Sequence, residues 1–260
     1  MRISSWGAVL AAVVGIGCLG PSNAGFAAAA TVSIQGSRGF SDDLIKPHQV
    51  KIEALTGHKL SLMANTTVQG LLAVLKGEAD LAMISAPLDS MVALLKKSRP
   101  DLPFHLLREF RVAEVRLAYP VNPANPVRSV SLAKLKQILN GQIGNWRELG
   151  GPDLPIHVVS LPDGGGAKRV TEEMLLGGQR MTPRSEIIVN SALEAIQTVA
   201  QDRGALGFAG ARRVNANRLP ELQTKVVITQ TYGFVSLNEP TDAMRAVIAA
   251  TRSVVFDEEP

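Results

Sequence analysis

From residue 31 to its end the chain alternates short apolar runs with stretches whose apolar residues recur every three or four positions. That alternation constrains the fold more than any other feature. Strand and helix units in regular succession build open, mostly parallel sheets with helices on both faces. The strand-like runs are "TVSIQG" (31–36), "KLSLMA" (59–64), "DLAMIS" (80–85), "FRVAEVRLAYPV" (110–121), "IHVVSL" (156–161), "EIIVN" (186–190), "ALGFAG" (205–210) and "KVVITQ" (225–230). The helix-like runs are bounded by their own punctuation. Ser41 reads as the cap and Gly57 as the stop of 41–57, with Pro47 kinking the helix or delaying its start. Thr66 or Thr67 opens the next helix, 86–98 forms another, Ser131 and Gly141 bound one, and Ser191 and Gly204 bound another. "GGAKRVTEEMLLGG" (165–178) and "TDAMRAVIAATRSVV" (241–255) complete the set.

One stretch interrupts the alternation. "NPANPVRSV" (122–130) packs two Asn-Pro pairs into five residues, which forbids regular structure. It is expected to carry the chain from one lobe to another. The predicted architecture is therefore α/β and two-lobed, with lobe 1 from 31–117 plus 222–260 and lobe 2 from 118–221. In such sheets ligands sit at strand carboxyl ends, where helices begin. Small or hydroxyl residues mark such places at Gly36 to Ser41, Asn65 to Thr67 and Gly164 to Lys168, and more weakly at Ser85 to Leu88. The third follows the crossing and the others precede it, the layout of a cleft that grips a small ligand from both sides.

Residues 1–30 obey different rules. Arg2 precedes an apolar run from Trp6 to Leu19, and small residues allow cleavage after Ala24 or Ala30. This is the layout of a secretory signal peptide. The run is short of the ~20 residues a membrane span requires. Periplasmic or extracellular residence is expected. Cys18, the only cysteine, lies inside this segment, and Gly15-Ile16-Gly17 before it lack the leucine that lipid attachment favours. The remainder has no thiol for disulfide or redox chemistry. A net charge of +4 with 4% aromatic residues argues against a nucleic-acid partner.

Three glycines, Gly164 to Gly166, follow a strand-like run and precede a helix-like one. Such a turn can aim bare backbone N–H groups at an anion. It serves a plain tight turn equally well. Neither it nor any other segment is a phosphate-binding loop of the nucleotide type, because no Gly-Lys-Ser/Thr frame is present. The histidines His48, His58, His105 and His157 are scattered, and no nucleophile elbow occurs, so neither metal, cofactor nor catalytic residue is expected.

"LKQILNGQIGNWRELGGPDLPIHVV" (135–159), with Gly141, Asn145, Trp146, Gly150, Gly151 and Pro152, resembles the solute-binding proteins of phosphate-type ABC transporters. "GEADLAMISAPL", "AYPVNPANPV" and "ALGFAG" extend the resemblance over about 31 to 250. It implies a Venus-flytrap fold, no enzymatic activity, a monomer, a small oxyanion ligand such as phosphate and an ABC permease as partner. In that family the anion is held by helix amides, hydroxyls, one Arg and one Asp. Carried over, the Arg falls at Leu161, the Ser-Gly-Thr of the turn at Gly165-Gly166-Ala167, the acid at Ser85 and the first-loop Thr at Gly39. Thr67, with Thr66 beside it, keeps its hydroxyl. The expected ligand-binding set is Phe40, Ser41, Thr66, Thr67, Ser85, Gly165, Gly166, Ala167 and Lys168. Lys168, Arg169 or Arg38 could supply the missing charge, although the first two also fit the solvent face of a first helical turn. Without the Asp, sulfate is expected to compete with phosphate within about tenfold. A sensor or interaction protein that has lost its ligand side chains is the alternative, and a phosphate-ester hydrolase is a weaker one.

Overall fold

A computed structural model describes residues 29–256. The expected leader and Cys18 lie outside the described residues. The first half runs β1 (Thr31–Ser37), a single turn α1 (Arg38–Phe40), a π-helical turn (Ser41–Ile45), α2 (Lys46–Thr56), β2 (Lys59–Asn65), α3 (Thr67–Leu75), β3 (Leu81–Ile84), α4 (Leu88–Lys96) and β4 (Leu107–Ala118). An irregular crossing leads to α5 (Leu132–Leu139), β5 (His157–Ser160), α6 (Gly166–Leu176), β6 (Glu186–Ile188) and α7 (Ala192–Gln201). The chain ends with β7 (Ala205–Gly207), β8 (Ala209–Gly210), α8 (Ala211–Ala216), β9 (Thr229–Leu237) and α9 (Asp242–Phe256).

Two sheets result. The larger has the order β2-β1-β3-β9-β4-β8 and the smaller β6-β5-β7. β1 is parallel to β2 and β3, and the smaller sheet is parallel throughout. β9 enters antiparallel between β3 and β4. β3 is buried throughout, whereas β4 is buried at Leu107, Val112, Leu117 and Ala118 and exposed at Arg108, Arg111 and Glu114; a register shift between Arg111 and Ala113 breaks the expected period of two. The fold is α/β, with a curled sheet and flanking helices.

Several local expectations are corrected. Ser41 is not a cap: Ser37 is, its Oγ accepting from the Phe40 N–H, and the helix begins three residues earlier. Pro47 follows the π turn, in which the Lys46 N–H reaches Ser41 O; one wider turn ahead of a residue with no N–H of its own takes the place of a sharp kink. "ALGFAG" is not one strand. β7 pairs with β5 in the smaller sheet and β8 with β4 in the larger, and Phe208 stands between them. The last strand lies later than 225–230, because "TYGFVSL" supplies most of the inward face of β9.

Three packing contacts fix the elements around the carboxyl ends of the strands. Phe40 is fully buried, stacked on Tyr232 at 5.2 Å between ring centroids and tilted against Phe234 at 5.0 Å. Gly70 lets α3 lie directly on β1, since a Cβ there would stand 2.6 Å from Gln35 O and from the Gly36 Cα. Trp146 is buried and its Nε1 donates to Gly204 O at 2.9 Å, which pins the Asn-Trp loop to the smaller sheet. Its role is packing.

Candidate functional site

A cavity of about 190 Å³ lies where the carboxyl ends of β1, β2 and β3 face the starts of α6 and α7. Thr66, Thr67 and Ser85 form part of one wall, and Gly165, Gly166 and Ala167 part of the other. Gln230 and Tyr232 of β9 also line it.

Three helix starts bring backbone donors to it. Helix starts leave N–H groups unpaired unless side chains cap them. Gly165, which precedes α6, has no side chain to offer, and the N–H groups of Gly166, Ala167 and Lys168 have no partner among the described residues. At α3, Thr66 accepts from Gln69 N at 3.2 Å in a capping box, leaving Thr67 and Val68 N–H unpaired among the described residues. At α7, Ser191 accepts from Glu194 N at 3.1 Å, leaving Ala192 and Leu193 N–H unpaired among the described residues. Three helix dipoles of at least eight residues thus point their positive ends at one space.

The hydroxyl groups are mostly occupied with one another. Ser37 Oγ donates to Ser85 Oγ at 2.7 Å, and Ser85 N donates to Thr67 Oγ1 at 3.3 Å. All three residues are buried. The start of α6 presses on this cluster: a Cβ on Gly166 would stand 1.8 Å from Ser85 Oγ and 2.5 Å from Ser85 O. Only glycine allows the two walls to meet so closely.

Charge is sparse. Arg38 is exposed at the cavity mouth and unpaired among the described residues. Deeper, Asp43 receives the Arg213 guanidinium, with Nε at 2.8 Å, and the Tyr232 hydroxyl at 2.8 Å. Burial pushes the Tyr232 phenol well above its ordinary range, and the Asp43 carboxylate beside it pushes it further. No group of three His, Cys, Asp or Glu side chains gathers as a metal site among the described residues.

Of the expected residues, Thr66, Thr67, Ser85, Gly165, Gly166 and Ala167 come together on the cavity wall. Phe40, Ser41 and Lys168 do not line it. Phe40 is core, and Ser41 is buried inside the π turn with its hydroxyl unpartnered. Lys168 turns away, only 2% exposed, to pair with Asp163 at 3.1 Å and Glu186 at 3.2 Å. Arg169 is engaged with Ser90 and Glu173. Neither faces solvent freely. Sequence reasoning missed Asp43, Gln230, Tyr232 and the Asn190–Ala192 corner. The last was detectable, since "EIIVN" followed by a capping Ser191 repeats the strand-end, helix-start pattern.

A family described as the PBP superfamily domain matches residues 22–253. The chain belongs to the PBP superfamily. Within it, the phosphate-binding protein PstS of Bacillus subtilis is 35% identical over 102 residues, which is 39% of this chain and 33% of that protein. The chain thus matches about a third of the length of its curated relatives, 33% and 36%. A Clostridium perfringens protein assigned to the phosphate ABC transporter substrate-binding proteins, solved with phosphate bound, superposes with a TM-score of 0.71 at 20% identity, over 85% of this chain and 92% of that one. The regulatory domain of MetR, a LysR-family regulator of Neisseria meningitidis, superposes with a TM-score of 0.61 at 12% identity, over 89% and 96%. These two likenesses establish the periplasmic-binding-protein fold, which serves transport and regulation alike. The resemblance to phosphate-type solute-binding proteins seen in the sequence is the one these relatives show. No described helix is long and apolar enough to cross a membrane.

Proposed function

We propose that the protein is an exported solute-binding protein that holds a small oxyanion, phosphate foremost, between two lobes and delivers it to the permease of an ABC importer. The lobes are residues 31–117 with 222–260, and 118–221. The cavity binds and releases; it performs no reaction. One observation carries this reading: the starts of α3, α6 and α7, from both sheets, leave unpaired N–H groups around a single cavity. An anion there satisfies donors from both walls at once, so binding and lobe closure are one coupled event. The similarity to phosphate-binding relatives supports phosphate as the first ligand to test.

Affinity should be modest. Leu161 stands where the resemblance implies an Arg, and a charge-assisted hydrogen bond contributes about 1.5–3 kcal/mol against about 1 for a neutral one. Calorimetric titration of the purified protein with phosphate should give a dissociation constant in the micromolar range. No heat from phosphate or any other small oxyanion would refute the reading. Nanomolar binding would show that side chains outside this wall supply the grip.

A further inference from the structure

Gln230 sits in the cavity wall on β9 and is 3% exposed. Its Nε2 donates to the Tyr232 hydroxyl at 3.0 Å. Tyr232 has one proton, and that proton goes to Asp43 Oδ2 at 2.8 Å. Asp43 can only accept, and Arg213 occupies its other oxygen. The direction of the chain is therefore fixed. Tyr232 must receive the amide NH2 of Gln230, so the amide oxygen is left for something else. Burial beside the Asp43 carboxylate keeps the phenol protonated, and the direction does not reverse at ordinary pH.

That amide oxygen, Gln230 Oε1, is buried and has no hydrogen-bond partner. A buried acceptor without a donor is costly and uncommon. Its surroundings make it odder still. The free backbone N–H groups of the helix starts and the Arg38 guanidinium are donors, and the Ser37 proton is already given to Ser85. Asn65 Oδ1, on a residue of the same wall, is likewise unpartnered.

We propose that Gln230 is a specificity-determining residue, whose amide oxygen accepts a hydrogen bond from an O–H group carried by the bound oxyanion. The proposal rests on the oxyanion reading above and sharpens it. The favoured ligand has bare oxygens for the N–H groups and one hydroxyl for Gln230. Monohydrogen phosphate carries such a group on phosphorus, and a phosphate monoester of a polyol carries it on carbon. Sulfate has the size and shape of phosphate but no O–H. Ser85 considered alone predicted tolerance of sulfate; Gln230 reverses that expectation, because it restores an acceptor from another strand.

The test is calorimetry on the purified protein at mildly alkaline pH, with inorganic phosphate, sulfate, methyl phosphate and glycerol phosphate. Phosphate should bind at least about tenfold more tightly than sulfate, and Gln230→Met should lose most of that ratio by weakening phosphate. Methyl phosphate, which lacks an O–H as a dianion, should follow sulfate. If glycerol phosphate binds as tightly as phosphate or more so, the hydroxyl comes from an organic ester; if it follows methyl phosphate, it comes from phosphate itself. A smaller wild-type preference for both hydroxyl-bearing ligands over sulfate overturns the proposal, and this comparison needs no variant to fold. So does a Gln230→Met protein that keeps the preference. Oxyanions that bind without preference leave the general reading standing and remove this one. Silence from all four ligands removes both.

Discussion

Replacing Gly166 by Ala tests whether the two walls meet as the structure has them. The added Cβ would stand 1.8 Å from Ser85 Oγ. A carbon–oxygen contact settles at about 3.3 Å or beyond, so the walls must part by about 1.5 Å. Ser85 cannot simply rotate away, because its own carbonyl oxygen is 2.5 Å from the same Cβ. Overfilling of a packed region costs about 1–3 kcal/mol. The gain of an alanine in a helix, at most about 1 kcal/mol, is the same with the lobes open or closed, so it cancels in the affinity and offsets only part of a loss in melting temperature. If the lobes relieve the clash by staying apart, the closed state bears the cost and phosphate affinity falls about fivefold to 150-fold. If they do not, the melting temperature falls by about 2–4 °C for each kcal/mol. Calorimetry and a thermal melt on the same preparation separate the two routes. Gly165→Ala is the control, with its nearest neighbours, Leu161 Cβ and Pro162 O, at 3.1 Å. It should change either quantity far less. A Gly166→Ala protein with wild-type affinity and wild-type melting would refute the close approach of α6 to Ser85, and with it the closed cavity.

The charged side chains give three further predictions. Arg38→Ala removes an exposed cation at the cavity, unpaired among the described residues, so phosphate affinity should fall by about fivefold or less, with a weaker salt dependence and unchanged melting. Lys168→Met should lower stability by about 1–2 kcal/mol, moderated because Glu186 and Asp163 keep 22% and 63% exposure, while phosphate affinity stays within about twofold; a large affinity loss at constant stability would return Lys168 to the site. The Lys59 ammonium, with the Leu60 N–H and the Gln49 amide, holds the Glu53 carboxyl at about 2 instead of 4.5. A lowered folded-state value stabilises the fold above pH 4.5 and is lost as pH falls toward 2. Glu53→Gln should therefore flatten the melting temperature against pH in that interval, and an unchanged profile would show that Glu53 is not the group titrating.

The elements were legible wherever local chemistry decided them. Gly57 takes a left-handed conformation at φ 70° and ends α2, and Ser131 and Ser191 cap α5 and α7. What escaped was decided at long range. "ALGFAG" has the composition of one strand, yet β7 and β8 divide it between two sheets, with the buried Phe208 at the junction. The antiparallel entry of β9 left no local mark either, since strand direction depends on the route of the chain and not on the strand's own residues.

The site divides along the same line. A helix start is a backbone feature, so the Thr66–Thr67 and Gly165–Ala167 corners survive in the sequence even where the expected side chains are gone. A side chain reaching the cavity from elsewhere has to be recognised by its frame. Ending the last strand at 230 placed Gln230 at a terminus, where a polar residue needs no explanation. With β9 spanning Thr229–Leu237, Gln230, Tyr232 and Phe234 alternate along the strand and all are buried. The burial of a glutamine in that row has to be offset by hydrogen bonds on both sides of its amide. Tyr232 supplies one of them. The other falls to whatever fills the cavity, so a frame error of a few residues is enough to hide the group that chooses the ligand.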